Sequence, residues 1–467
     1  MRSSPQVYPC HQMNLPALHQ LFGDKVKSDP VTITAYSTDA TPEFKAAPEA
    51  VVFAESTDDV VKLIKFANEH NVPIITRGAG SNLAAATVPI TGGIILVMTK
   101  LNRILEISKS EMLAVVEPAV TNVNLDEAAA AYGLMYPPDP GSKTVSTIGG
   151  NIATCAGGLR GLKYGVTRNY VLGLEVVLGT GEVINTGSRM VKDVAGYDIT
   201  RLMVGSEGTL GVITKAIVAL RPRPTISRYG VAYFKTLADA SVAVDNIVGA
   251  GILPATLEFL DQVCIIAVEK FANIGLDTTA GALLLFGEDG DSDDVEIKTQ
   301  QMADICAATP GVISVTRAKN VVEADQLLFA RRCALPALAR EASLAVSEDI
   351  CVPRPLLAET VAKISEISKK RNVKIGVFGH AGDGNLHPKV LADINDPAEV
   401  ARLHQALDDI FTLSLDMGGT ITGEHGVGIA KLPYLERKVG KEQMALFRRI
   451  KTAFDPNGIL NPGKTGS

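Results

Sequence analysis

What this chain of 467 residues lacks narrows its chemistry before any motif is read. None of its six cysteines, at positions 10, 155, 264, 306, 333 and 351, stands at CxxC spacing from another. That excludes the usual ligand spacing of iron–sulfur clusters and thiolate zinc sites, and makes free thiols in a reducing, cytoplasmic compartment the simple expectation. No apolar run approaches the length of a membrane span, and the polar start Met1-Arg2-Ser3-Ser4-Pro5 does not lead into a signal-peptide core. Peripheral membrane contact stays open. Positive charge is not in excess: the net charge is −6 and the basic residues are scattered, so a general nucleic-acid role is not expected. A dinucleotide fingerprint is also missing. The GxGxxG pattern that starts at Gly78 fails at Leu83, and no clear helix opens there, which argues against a nicotinamide dehydrogenase.

Histidine is scarce, seven residues in all, yet three of the seven fall in two short glycine-rich runs. The first is Phe378-Gly379-His380-Ala381-Gly382-Asp383-Gly384-Asn385-Leu386-His387 and the second is Gly423-Glu424-His425-Gly426-Val427-Gly428. Val373, Ile375 and Val377 alternate as in a strand that ends at His380. Gly382 and Gly384 then allow a tight turn, so His387 folds back toward His380. Two imidazoles and a carboxylate with an open position make a known plan for a catalytic divalent ion. Glu424 and His425 are neighbours and point opposite ways in an extended segment, so one binds the ion while the other does different work. The bland alternative is turn glycines and surface histidines. His11, His19, His70 and His404 belong to no such constellation and read as surface or capping residues.

Residues 1 to about 48 are polar and Pro-containing, with one helix expected near Leu15–Phe22, and order is expected to begin at the strand 49–53. Ser56 then caps a helix carrying Val60, Val61, Ile64 and Ala67 on one side. The next strand, 73–76, runs into Arg77-Gly78-Ala79-Gly80-Ser81-Asn82, a turn whose bare amides can cradle a diphosphate without a Rossmann helix. A second Gly-rich region contains Pro140, Ser142, Gly149, Gly150, Asn151, Thr154 and Gly157, and paired glycines there permit close approach to a flat ligand. A strand at 170–177 and a hairpin through Gly179-Thr180-Gly181 follow. A helix is expected over Asp193–Met203. Next come Glu207, Gly211 and Ile213 in Gly205-Ser206-Glu207-Gly208-Thr209-Leu210-Gly211-Val212-Ile213. Arg221-Pro222-Arg223-Pro224 reads as a domain boundary. Beyond it, strands and helices alternate as in a small antiparallel sheet with helices on one face, the ferredoxin-like plan. Helices are expected at 238–248, 295–307, 325–340, 356–370 and 397–417, and a strand at Val346–Val352.

These motifs resemble a known family. Arg77-Gly78-Ala79-Gly80-Ser81, Gly149-Gly150-Asn151 and Gly205–Gly211 are similar to the FAD-binding half of the vanillyl-alcohol oxidase type of flavoprotein. The runs at 378–387 and 423–428 are similar to its D-2-hydroxyacid dehydrogenase branch, which includes the glycolate oxidase large subunit, D-lactate dehydrogenases and D-2-hydroxyglutarate dehydrogenase. The resemblance runs from about residue 48 to the end. Ala84 to Ala86 and Ala119 depart from the more Gly-rich family pattern. It implies an α+β protein with a two-subdomain FAD-binding domain (1–224), a ferredoxin-like substrate cap domain with the metal site (225–425) and a C-terminal segment returning to the FAD domain (426–467). FAD would be held non-covalently, since the 77–82 loop has no histidine, and Asn461 belongs to the returning segment.

The implied reaction is oxidation of a 2-hydroxyacid by hydride transfer to flavin N5. A divalent metal (zinc, or manganese or iron) would sit on His380, His387 and Glu424. His425 would be the base and Arg331 the guanidinium for the substrate carboxylate. His-Pro at 387–388 is more like the glycolate and D-lactate enzymes. Ser347, where a lysine serves the D-2-hydroxyglutarate enzymes, points the same way, so D-lactate or a similar small acid is the expected substrate. Lys389 is either a solvated lysine or a partner for a second carboxylate. The electron acceptor (an electron-transferring flavoprotein, an iron–sulfur subunit or a quinone) and a homodimer are both left open by the residues. A metal-dependent hydrolase would use the same histidines but has no need of the Gly-rich first half. A non-catalytic flavin-binding subunit would keep that half and drop the metal residues.

Overall fold

A computed structural model of the chain describes residues 13–465. Cys10 and His11 lie outside the described residues. Cys155, Cys264, Cys306, Cys333 and Cys351 are free thiols. No described helix is long and apolar enough to cross a membrane.

The chain divides into two compact units. The first comprises residues 13–156, 166–223 and 424–465, and the second 157–165 and 224–423. The segment Gly157–Gly165, which the sequence reading leaves in the N-terminal half, clusters with the second unit. Its anchor is chemical. Lys163 meets the buried carboxylates of Glu288 and Asp289, and the Tyr164 hydroxyl donates to Asp289 at 2.6 Å.

The first unit holds two sheets and a short ribbon. Strands β1 (Val26–Lys27), β2 (Ala50–Phe53), β3 (Ile74–Arg77) and β4 (Ile94–Val97) stand in the order β1-β2-β4-β3. β2, β4 and β3 are parallel, as a helical crossover requires. That crossover is the helix Thr57–His70, capped by the Ser56 hydroxyl, which accepts the Asp59 amide at 3.1 Å. Its Val60, Leu63, Ile64 and Ala67 are fully buried under the sheet with Leu18 and Leu460. His70 stacks on Phe66 in the last turn of this helix, and His19 is an exposed residue of the helix Leu15–Phe22. The second sheet contains β5 (Ile104–Ser108), β6 (Leu113–Val116), β8 (Val171–Val177), β9 (Val183–Gly187) and β10 (Val212–Ala219) in the order β5-β6-β10-β8-β9, all antiparallel. β7 (Leu134–Met135) pairs with β11 (Arg221–Pro222).

The expected helix Asp193–Met203 is only Ile199–Met203. The Asp198 side chain accepts the Arg201 amide at 2.8 Å and starts the helix there. Gly196, at φ +100, breaks the turn before it.

The second unit is built on one antiparallel sheet of eight strands, larger than the small sheet expected. These are β12 (Ile226–Phe234), β13 (Thr256–Asp261), β14 (Ala282–Gly290), β15 (Val312–Arg317), β16 (Leu344–Ser347), β17 (Ile350–Cys351), β18 (Lys374–His380) and β19 (Asn385–Ala392). The order is β15-β12-β14-β13-β18-β19-β16, with β17 also on β19. β19 is buried along its whole length and β14 along all but its last residue, so both sheet faces are covered. Helices on one face alone, as expected, would have left alternate residues wet. Gln262–Ala272 and Val321–Ala339 pack together on the face carrying Leu260, Leu283, Phe378 and Leu391. Leu237–Gly249, Asp294–Ala308, Leu357–Arg371 and Pro397–Asp416 form a second set of mutually packed helices.

The strand expected over Val346–Val352 is broken between β16 and β17 at Glu348-Asp349. Asp349 is 0% exposed, and its carboxylate draws the chain toward hydrogen-bond donors instead of continuing the ladder.

Candidate active site

In the first unit, β3 delivers Arg77 to the loop 78–82. The Arg77 guanidinium lies over the Tyr36 ring, 5.2 Å from its centroid, and donates to the Thr38 carbonyl. Among the described residues, the amides of Gly78, Ala79, Gly80, Ser81 and Asn82 donate to nothing. The Asn82 side chain braces the next turn, accepting the amides of Ala84 and Ala86 at 3.0 and 3.1 Å. A Cβ on Gly78 would strike the Thr147 hydroxyl, which ties this loop to the second Gly-rich region. There Thr147 caps the helix Ile148–Thr154, and Gly149 lies so close to Pro118 that a side chain has no room.

Three buried polar atoms in this neighbourhood of the chain, Asn151 Nδ2, Ser146 Oγ and Thr76 Oγ1, have no hydrogen-bond partner among the described residues. Bare amides beside an arginine suit a diphosphate, and orphaned donors behind paired glycines suit the polar edge of a flat ring. The residues therefore fit FAD. Pro140 and Ser142 form the turn before Thr147, where the Ser142 carbonyl accepts the Val145 and Ser146 amides. The Thr154 hydroxyl returns to the Gly150 carbonyl at 3.3 Å. Gly211 is packed on Val176, and Ile213 opposes Val176 across β10 and β8. Gly157 belongs to the second unit.

Two of the expected cofactor contacts have other uses. The Asn461 side chain donates to the carbonyls of Ala86 and Glu207 at 3.1 and 2.6 Å and accepts Lys464 Nζ at 2.7 Å. The Glu207 carboxylate accepts the amides of Val427 and Gly428 and the Thr465 hydroxyl. Their side chains brace the loops from behind. Lys464 is fully buried, and that burial pushes its ammonium down to about 7.

In the second unit, β18 and β19 carry the two histidines. Register places His387 opposite Phe378, and His380 one step beyond on the same face. The rings lie 5.1 Å apart at 89°. His380 Nδ1 lies 2.6 Å from Glu258 Oε1 on β13, which leaves Nε2 as the outward-facing nitrogen. A carboxylate behind an imidazole is the support that metal-binding histidines require, so the donor set fits a divalent cation. Glu258 also accepts Arg331 Nε at 2.6 Å, and Arg331 stacks over Phe378 at 4.7 Å. The two terminal nitrogens of Arg331 have no partner among the described residues. Lys389 extends the same face, is 4% exposed and makes no ion pair among the described residues. Burial pushes its ammonium down to about 8.

The structure thus brings His380, His387 and Arg331 onto one sheet face. Glu424 follows directly on Gly423, whose amide is held by Asp349 at 2.9 Å. Sequence reasoning missed Glu258 and Asp349. The available signal was a lone carboxylate inside an apolar strand, Thr256-Leu257-Glu258-Phe259-Leu260, and another interrupting Val346–Val352.

Two domain families match the chain: an FAD binding domain over residues 48–187 and the C-terminal domain of FAD linked oxidases over residues 223–465. The chain is 48% identical to the glycolate oxidase subunit GlcD of Bacillus subtilis, over 92% of this chain and 91% of that one. It is 36% identical to a D-lactate dehydrogenase of Archaeoglobus fulgidus, over 92% and 95%. A solved p-cresol methylhydroxylase shares the fold at a TM-score of 0.82 and 19% identity, covering 97% of this chain and 96% of that one. The protein belongs to the FAD-linked oxidases of the vanillyl-alcohol oxidase type, in the D-2-hydroxyacid dehydrogenase branch. It is an FAD-linked oxidoreductase.

Proposed function

We propose that the protein oxidises a small 2-hydroxyacid, D-lactate or glycolate, to the 2-oxoacid and hands the electrons to a non-nicotinamide acceptor. The observation that carries this reading is the array His387, His380, Glu258 and Arg331 on one sheet face, in a chain whose other unit fits FAD. FAD, when bound, accepts the hydride from C2. His380, His387 and Glu424 would hold a divalent ion, which would supply the positive charge that acidifies the substrate hydroxyl. His425 takes the hydroxyl proton as the carbonyl forms, which accounts for the second hydrogen lost from the alcohol. The terminal nitrogens of Arg331 grip the carboxylate and fix which face of C2 is presented.

Lys389 supports a second reading. A buried ammonium without an anion suits a substrate with a second carboxylate, such as D-2-hydroxyglutarate. The relative's name describes GlcD as a subunit, which supports a protein partner as electron acceptor.

The test is an anaerobic visible spectrum of the purified protein before and after D-lactate, glycolate and D-2-hydroxyglutarate. Bleaching by one of them, lost on chelation and restored by Zn2+ or Mn2+, is the expected result. A protein that takes up no FAD on reconstitution overturns the reading.

A further inference from the structure

The segment Thr422–Gly428 carries Glu424 and His425, and two buried carboxylates hold its two ends. On the N-terminal side, Asp349 Oδ2 accepts the Thr422 hydroxyl at 2.7 Å and the Gly423 amide at 2.9 Å. Its Oδ1 accepts Asn385 Nδ2 at 2.6 Å. On the C-terminal side, Glu207 Oε1 accepts the Val427 amide at 2.6 Å, and Oε2 accepts the Gly428 amide at 2.9 Å and the Thr465 hydroxyl at 2.6 Å. Each clamp lies wholly within one unit, Asp349 in the second and Glu207 in the first.

The local backbone is shaped for this. Gly426 and Gly428 have φ of +86 and +49, and a Cβ would run into the Glu207 carboxylate from Gly426 and into the Ala84 carbonyl from Gly428. A Cβ on Gly423 would strike the Asn385 amide. Glu207 itself sits at φ +53, a left-handed conformation that costs a non-glycine residue and persists only where its surroundings enforce it. Glu207 takes amide and hydroxyl donors; Asp349 does the same, and its Oδ1 also lies 3.9 Å from His387 Nδ1. A carboxylate buried in this way is costly unless its oxygens are paired, so losing either one would also leave the segment's amide and hydroxyl donors without their acceptor.

We infer that Asp349 and Glu207 are positioning residues: Asp349 fixes where the Glu424 carboxylate is delivered, and Glu207 fixes where the His425 imidazole is delivered. This deepens the functional reading above and rests on it. The two ends have separable consequences, because Glu424 adjoins the Asp349 clamp and His425 adjoins the Glu207 clamp.

The test uses the flavin-loaded protein with Zn2+ measured by competition with a chromophoric chelator, beside steady-state kinetics with D-lactate and glycolate. Asp349→Asn replaces an acceptor by an N–H facing two donors, and is expected to weaken Zn2+ binding about 10–100-fold with FAD content unchanged. Glu207→Gln is expected to lower kcat about 10²-fold with little change in KM or Zn2+ affinity. Should either variant fail to fold, Thr422→Val and Thr465→Val each remove one donor and are expected to give smaller losses with the same division. Folded variants with wild-type Zn2+ affinity and kcat overturn the assignment. So does parallel loss of flavin, metal and turnover in both, which marks a structural role only. Wild-type protein that binds neither Zn2+ nor Mn2+ overturns the functional reading itself, and the clamp with it.

Discussion

His380 stands directly opposite Glu258 across β18 and β13, with Nδ1 2.6 Å from the carboxylate. The same carboxylate holds Arg331 through its other oxygen, so one buried acid orients both an imidazole and a guanidinium. Glu258→Gln is expected to weaken Zn2+ binding about 10–100-fold while the flavin stays bound. Chelator competition measures the first and the visible spectrum the second. Unchanged Zn2+ affinity would remove Glu258 from the metal's support.

His425→Ala is expected to lower kcat about 10²–10⁴-fold, the usual contribution of a positioned base. Flavin and metal content should stay at wild-type levels. Rapid-mixing reduction of the flavin by D-lactate under anaerobic conditions checks the chemical step. A variant that reduces its flavin at the wild-type rate would show that the proton goes elsewhere.

Lys163 is the cation between the buried carboxylates of Glu288 and Asp289, and is itself 26% exposed. Lys163→Met takes this cation from two neighbouring buried acids. The expected loss of stability lies at the low end of about 3–5 kcal/mol, because a partly exposed lysine lets water relieve part of the cost. Urea unfolding followed by far-UV dichroism gives the number.

Burial pushes Lys464 down to about 7, while a lysine in an unfolded chain titrates near 10.4. Between those values the unfolded chain holds a proton that the folded protein lacks. Stability therefore rises with pH across that window, by up to about 1.4 kcal/mol per unit. Below about 7 both states are protonated and the cost of the buried ammonium is constant. Lys464→Met is expected to flatten this slope. Denaturant unfolding of flavin-loaded protein at several pH values within the window would show it, and an equal slope in both proteins would contradict the assignment.

Much of this was legible in the chain. The helix Leu15–Phe22, the Ser56 cap and the β18–β19 hairpin follow from local signals: periodicity, a capping hydroxyl and turn glycines. The pairing of His380 and His387 was readable because one hairpin brings them together over seven residues. Glu258 was not, since its partnership with His380 depends on the register of strands 122 residues apart. The same holds for Asn461, whose side chain reaches back to Ala86 and Glu207. Asp193–Tyr197 was expected to be helical, but Val194 and Tyr197 are 96% and 95% exposed, so no packing rewards a helix there.

The chain passes between its compact units at 156/157, 165/166, 223/224 and 423/424, so neither unit is a continuous stretch. The edge strand β3 is completed only by the far end: Ile74 donates to the Ile459 carbonyl, and the Asn461 amide donates back to Ile74. A growing polypeptide emerges from the ribosome with β3 open for nearly the whole of synthesis. The first unit therefore cannot be completed before the whole sequence of the second has been synthesised. A nick near residue 424 would sever the strap that carries Ile459 and Leu460 into the core under the first sheet, and leave the large sheet's chain uncut.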